Sequence, residues 1–222
     1  KETYVYAGQL DFDDLNALNP ESRKHWHLAF LQRWVTENEA GSGVGWDPYP
    51  TSLRIVNWVK WSYAGNILPA TCVQSLAIQV RFLMQRIEFH ILGNHLFANA
   101  KALIFAGLFF SGDEAGQWLD KGLKIVSDEL REQVLLDGAN FERSPMYHAI
   151  FLEDMLDLIN LAQVFPDTIS EVNVTLWRQV VPSMLFWLNG MTHPDDEIAF
   201  FNDAAIGNVP SPVKLNAYAA RL

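Results

Sequence analysis

Two short stretches hold the residues best suited to chemistry. Residues 137–148 read DGANFERSPMYH, and a Gly93-Asn94-His95 step lies upstream of them. Ser144-Pro145 is a helix start signal: a hydroxyl side chain for the cap position, then proline where no amide donor is needed. Tyr147 then falls in the first turn of the new helix. Asn94 precedes an apolar, alanine-rich stretch over residues 96–110, so it too lies at a helix N-terminus. Helix N-termini favour anions, and here one offers an amide and the other a phenol. An anionic ligand that must lose a proton fits this pair, as in β-elimination on a uronic acid sugar. Taken singly, each residue has a plainer reading. A tyrosine in a first turn more often packs with its hydroxyl in water, and an asparagine before a helix is more often only its cap.

The elements that position these residues read as helices nearly throughout. The spacing predicts helices over about 20–38, from Thr51 or Ser52 to Gly65, and from Pro69 to about Ile91. Further helices are expected from Asn94 to Phe110, from Gly112 to about 137, from Ser144 to Val164 and from Ser170 to Asn189. A last short one begins near Val213. Ile150, Leu152, Met155, Leu156 and Ile159 give the helix after Ser144 a broad apolar face. Only residues 3–7 alternate in a way that suits a strand. Short connections imply antiparallel helix pairs, and no fixed-period repeat suggests a solenoid. The long loops, 41–50, 137–144 and 191–212, carry aromatic and polar residues and are where a cleft is expected.

Composition narrows the function. Half of the 222 residues are apolar, which is ample for a core, and the chain is expected to form one domain over 1–222 with a lead-in over about 1–18. Eight tryptophans and fourteen phenylalanines exceed what a minimal core needs, so some are expected to line a sugar-binding groove. Trp118 and Trp187, on apolar helix faces, are read as core. A net charge of −10 argues against nucleic acid. An anionic polysaccharide would have to be gripped locally, by such cations as Arg54, Lys60, Lys101 and Arg143. Cys72 is the only cysteine, so no intrachain disulfide is possible. The longest apolar run, 102–110, is too short to span a bilayer, and residues 1–10 do not read as a signal peptide.

Other constellations carry less. His25 and His27, two apart on a helix, point to nearly opposite sides and cannot ligate one ion. His90 reads as a core or surface residue. No zinc, calcium, phosphate-loop or nucleophile-elbow pattern occurs, so no metal or cofactor is expected. The Asn173-Val174-Thr175 sequon falls in a predicted helix. Asp47, Glu142, Asp195, Asp196, Glu197 and Asp203 lie on loops, but no spacing selects an acid pair for hydrolysis.

Four motifs, in order along most of the chain, resemble the heparinase II/III-like polysaccharide lyases. They are GWDPYPTSLRIVNW at 45–58, GNHLFAN at 93–99, FERSPMYH at 141–148, and His193-Pro194-Asp195 followed by Phe201-Asn202-Asp203. The resemblance implies an all-α, incomplete α/α toroid, the helical half of a lyase whose β-sandwich domain would follow this chain. It implies that Asn94 neutralises the uronate carboxylate, Tyr147 transfers the proton at C5, and His95 assists. Glu142, Arg143 and His148 match as neighbours with supporting roles. Trp46, Tyr49, Arg54, Asn99 and Asn202 are the remaining candidate substrate contacts. A second negative charge beside a carboxylate is costly, so neutral donors that spread it act as an oxyanion hole does. A free phenol titrates near ~10, and a tyrosine base relies on a helix N-terminus and a nearby cation, here Arg143. The substrate expected is a uronate polymer: alginate, a heparosan-like chain or a bacterial surface polysaccharide. A periplasmic or secreted location would suit it. A glycoside hydrolase working through loop carboxylates and a non-catalytic glycan-binding module are the alternatives.

Overall fold

The computed structural model describes residues 12–17, 20–205 and 207–222. The strand reading at 3–7 lies outside these residues, as does most of the lead-in expected over about 1–18. Among the described residues there are eight α-helices: α1 (Lys24–Glu37), α2 (Pro48–Tyr63), α3 (Ala70–Met84), α4 (Gly93–Phe109), α5 (Asp113–Gln133), α6 (Pro145–Val164), α7 (Glu171–Gly190) and α8 (Pro212–Ala219). Short 3-10 turns occur at Asp13–Asn16, Pro20–Arg23 and Val44–Trp46. The only pairing of extended backbone among them is two isolated antiparallel bridges, Val134 with Asn140 and Thr192 with Ile198. No described helix is long and apolar enough to cross a membrane.

The chain divides into two compact units, Lys1–Lys124 and Ile125–Leu222. In the first, α2 packs most extensively on α4. Helix α4 is apolar on nearly every side, with Leu96, Phe97, Leu103, Ile104 and Phe105 all buried, as a central helix must be. Two glycines let α5 lie close against it: a Cβ on Gly122 would sit 2.7 Å from the Ala100 carbonyl oxygen, and one on Gly107 would sit 2.7 Å from Leu119. Trp34, Trp46 and Trp58 form an aromatic cluster with Phe82 and Phe12, edge-to-face except for the tilted Trp34–Trp46 pair. Cys72, in the first turn of α3, is fully buried, and that burial raises its thiol pKa. In the second unit, α6 packs against α7 and α8 around Phe151, Leu152, Met155, Trp177, Met184 and Leu215.

Several boundaries differ from the sequence reading, each for a local reason. Helix α2 begins at Pro48, not Thr51 or Ser52, because Pro48 and Pro50 occupy a first turn whose amides need no helical acceptor. Helix α3 stops at Met84 and not near Ile91; Arg86 N–H instead bonds the Leu83 carbonyl in a tight turn. That leaves 85–92 as a connection in which Phe89, Ile91 and Leu92 are exposed. The Ser144 and Ser170 caps fall where their chemistry predicts, each hydroxyl accepting from the amide three residues on.

Candidate functional site

In the first unit the site is built at the start of α4. Leu92 precedes the helix with φ 64° and ψ −157°, a conformation that costs a non-glycine residue on the order of 1–3 kcal/mol. Gly93 follows at φ 56°. Asn94 and His95 are therefore the second and third helical residues, with no side-chain cap before them. Both are half-buried, and among the described residues the Asn94 amide meets no hydrogen-bond partner. His95 is held on two sides. Its ring stacks on Tyr49 from α2, centroids 4.3 Å apart and planes 27° from parallel. Its Nδ1 lies 3.0 Å from Glu88 Oε1.

Glu88 was not singled out by the sequence reading, yet it organises this corner. It is 5% exposed on the 85–92 connection. Its second oxygen, Oε2, accepts from Asn99 Nδ2 at 2.9 Å, and its backbone N–H donates to Asn99 Oδ1 at 2.9 Å. Asn99 Nδ2 also donates to Ser52 Oγ at 3.0 Å, and that hydroxyl donates to the Pro48 carbonyl. Asn99, expected to touch substrate, is instead fully buried as the bracket behind Glu88. The sequence did carry a hint: Glu88 is the only acid between Asp47 and Asp113, and it lies seven residues before His95.

Two more expected contacts in this unit are corrected. Arg54 is fully buried: its guanidinium donates to Gln79 Oε1 at 2.7 Å and to Thr51 Oγ1 at 3.1 Å and stacks 4.0 Å over Trp34. An enclosed cation needs such neighbours to offset its desolvation. Trp46 is 3% exposed and packs between Trp34 and Phe82. Neither offers a surface to a ligand. Tyr49 remains half-exposed beside His95.

The second unit carries the tyrosine. Ser144 caps α6 by accepting from the Tyr147 N–H at 3.4 Å. The Tyr147 side chain is half-buried, and its hydroxyl has no partner among the described residues. His148, next along, points inward and is fully buried. Its Nε2–H donates to the Met184 carbonyl at 2.9 Å, while Nδ1 accepts from the Asn140 N–H at 3.1 Å. Both nitrogens are used in the neutral tautomer, and burial pushes the pKa down to about 4. His148 is thus a brace and not a ligand contact.

Arg143 and Asn202 stand together. Both adopt left-handed backbone, φ 54° and 47°, as does Asp203 at φ 63°. Asn202 Nδ2 donates to the Arg143 carbonyl at 3.1 Å and so ties one loop to the other. They line a cavity of about 390 Å³ with Leu135, Asp137, Ala139, Trp187, Met191 and Phe201. The Arg143 side chain is exposed and makes no ion pair with a described residue. Trp187, read from sequence as core, is half-exposed on this wall and lies against His148. Glu142 is half-buried, its N–H bonded to Asn140 Oδ1.

The loops bearing these residues share one build. After α5, Phe141 N–H bonds the Gln133 carbonyl, Leu135 N–H bonds Ala139, and Gly138 N–H bonds Leu135. After α7, Ala199, His193 and Asp196 repeat all three bonds, to Met191, Glu197 and His193. Asp137 and Asp195 each accept from the amide two residues on, at 3.1 and 3.2 Å. The left-handed residue is Gly138 in one and Asp196 in the other.

Known structures show the same fold. The crystal structure of heparinase III superposes with a TM-score of 0.66 at 22% identity, over 79% of this chain and 28% of that one. A mutant of heparan sulfate lyase HepC from Pedobacter heparinus gives 0.64 at 22% identity, over 92% of this chain and 34% of that one. The fold is therefore the all-α class of the helical α/α toroid region of those proteins. The chain belongs to the heparinase II/III family: the family model "Heparinase II/III N-terminus" matches residues 63–219. Curated relatives include heparin-sulfate lyases of Bacteroides thetaiotaomicron, 32% identical over 61% of this chain, and of Bacteroides stercoris, 29% identical over 55%. The matched part spans 21% and 18% of the length of those two relatives.

Proposed function

We propose that the protein is a polysaccharide lyase that cleaves a uronate-containing, glycosaminoglycan-type polysaccharide by β-elimination. One observation carries this reading. The Asn94 amide, the His95 Nε2 and the Tyr147 hydroxyl have no partners among the described residues, while their neighbours Asn99, Ser144 and His148 are engaged in hydrogen bonds within the fold. Groups positioned on helix starts with unpaired tips are suited to meet a ligand. The names of the relatives support the choice of substrate class.

In this mechanism the Asn94 N–H groups donate to the uronate carboxylate. They spread the charge that builds when the C5 proton leaves, at a point where it would otherwise sit beside an existing anion. Tyr147 carries that proton, and His95 assists. The electron pair left at C5 forms the C4–C5 double bond as the C4–O bond breaks, and Tyr147 returns a proton to the leaving oxygen, so an unsaturated uronate end remains. Arg143, Asn202 and the Trp187–Phe201 wall would hold a neighbouring sugar, aromatic faces supplying area and Arg143 an anion grip. We also propose that a β-sandwich domain following this chain completes the cleft.

The test uses the full-length protein with heparan sulfate, heparosan and alginate. Elimination creates a conjugated double bond that absorbs in the ultraviolet. Cleavage without that absorbance would identify a hydrolase, and binding without cleavage a glycan-binding module; either sinks the lyase reading. Tyr147→Phe keeps the ring but removes the proton carrier, so kcat is expected to fall by ~10²–10⁴-fold with KM little changed. Asn94→Ala is expected to lower kcat by roughly 10²–10³-fold, as for one lost oxyanion-type donor.

A further inference from the structure

We propose that Glu88 is a positioning residue that fixes the tautomer of His95, so that the neutral ring presents an unprotonated Nε2 and works as an acceptor, not a donor. This rests on the lyase reading for its catalytic consequence, but its structural part stands alone.

The assignment follows by tracing donors from a fixed point. The Glu88 backbone N–H can only donate, so the Asn99 atom it meets at 2.9 Å must be the carbonyl oxygen. That settles the amide orientation: Asn99 Nδ2 is a donor, and it spends its hydrogens on Glu88 Oε2 and Ser52 Oγ. Ser52, accepting from Asn99, sends its own hydrogen to the Pro48 carbonyl. Glu88 Oε2 is thus an acceptor. With Oε1 as the other acceptor of an ionised carboxylate, the partner 3.0 Å away, His95 Nδ1, must carry the hydrogen. In the neutral imidazole only one nitrogen is protonated, so Nε2 is left with its lone pair. Nε2 meets no described residue, and the His95 side chain is 33% exposed. Tyr49 stacks on the ring and limits its rotation.

The consequence is a division of labour along one helical turn. Asn94 brings N–H donors for the substrate carboxylate. His95 brings a lone pair that can take a proton, and the charge it then gains faces Glu88. The Asn99–Ser52 bracket keeps the carboxylate from rotating away. An acid that orients an imidazole through Nδ1 is a recurrent arrangement in catalysis.

The experiment has a spectroscopic arm and a kinetic arm, both on the full-length protein. Histidine rings are isotope-labelled, His95 is assigned by its loss in His95→Gln, and the protonated nitrogen is read at a pH where the ring is neutral. We expect the hydrogen on Nδ1 in the wild type. In Glu88→Gln the carbonyl oxygen must face Asn99 Nδ2, which turns the amide NH₂ toward His95 Nδ1 and moves the hydrogen to Nε2. A wild-type ring protonated on Nε2, or one whose tautomer ignores Glu88→Gln, overturns the proposal. In the kinetic arm Glu88→Gln is expected to lower kcat by at least ~10²-fold, short of the ~10⁴-fold seen where a mis-set histidine is the sole base. KM should stay within a few-fold. The same substitution in a His95→Gln background should cost nothing further. An equal loss there means that Glu88 acts only on stability, and overturns the proposal too. If the wild type eliminates no uronate polymer, the lyase reading fails, while the tautomer arm still decides the role of Glu88.

Discussion

His148 shows how a residue beside a reactive one can have the opposite job. Tyr147 keeps a free hydroxyl, whereas both ring nitrogens of His148 are committed, one to a carbonyl of α7 and one to the loop after α5. Burial disfavours the charged ring and brings the pKa from 6.5 down to about 4. The sign of the linkage follows. Below pH 6.5 the unfolded chain binds a proton that the folded chain refuses, so stability is full above that value and drains as pH falls toward about 4. The loss from this group approaches roughly 3 kcal/mol at the acid end. Urea unfolding at stepped pH should show that decline, and His148→Gln should flatten it between pH 6.5 and 4. An unchanged slope in the variant would assign the acid sensitivity elsewhere. From the sequence, His148 looked like a supporting member of a motif. Its inward direction was not legible, because it depends on where the carbonyl of Met184, 36 residues further along the chain, arrives. Arg54 and Asn99 were misread for the same reason. Their polar ends suggested a ligand, and partners that satisfy them, Gln79 for Arg54 and Ser52 for Asn99, came from other helices.

At the scale of elements, local chemistry was legible and non-local termination was not. Ser144-Pro145 and Ser170 mark helix starts because the cap bond lies within three residues. The end of α3 carries no such mark: apolar residues continue past Met84, and only the tertiary fit of Glu88 against Asn99 shows why the chain turns there. The paired hairpins after α5 and α7 permit a test with opposite signs. A side chain at Gly138 would meet the Ser183 carbonyl at 2.4 Å on a backbone already at φ 87°. Gly138→Ala is therefore expected to destabilise by at least ~2 kcal/mol. At the equivalent position Asp196 sits exposed at φ 66°, and its neighbour Asp195 makes the turn bond. Asp196→Gly should relieve strain and stabilise by up to ~1 kcal/mol, less the entropy a glycine gives the unfolded chain. Denaturation midpoints that shift in the same direction for both would refute the equivalence of the two hairpins.

For the molecule as a whole, the acidic balance constrains how a polyanion can be held. Several arginines are already engaged: Arg23 with Asp14, Arg33 with Glu37, Arg81 with Glu114, and Arg54 in its buried bracket. Arg143 is exposed on the rim of a cavity and pairs with no described acid. Replacing it with alanine should weaken polyuronate binding and reduce the salt dependence by about one ion in the logarithmic slope. A slope that does not change would mean that Arg143 never meets the polymer. Cys72 adds a property of a different kind. Thiol reagents attack the thiolate, and this sulfur is fully enclosed with its ionisation suppressed. In this chain the native sulfur should react only when α3 opens, and its alkylation rate then becomes a clock for that opening. Leu136, whose side chain stands entirely in solvent on a hairpin tip, offers the contrast. A cysteine placed there would accept a fluorophore in the folded state while Cys72 stays silent, turning the rim of the cavity into an optical sensor of what enters it.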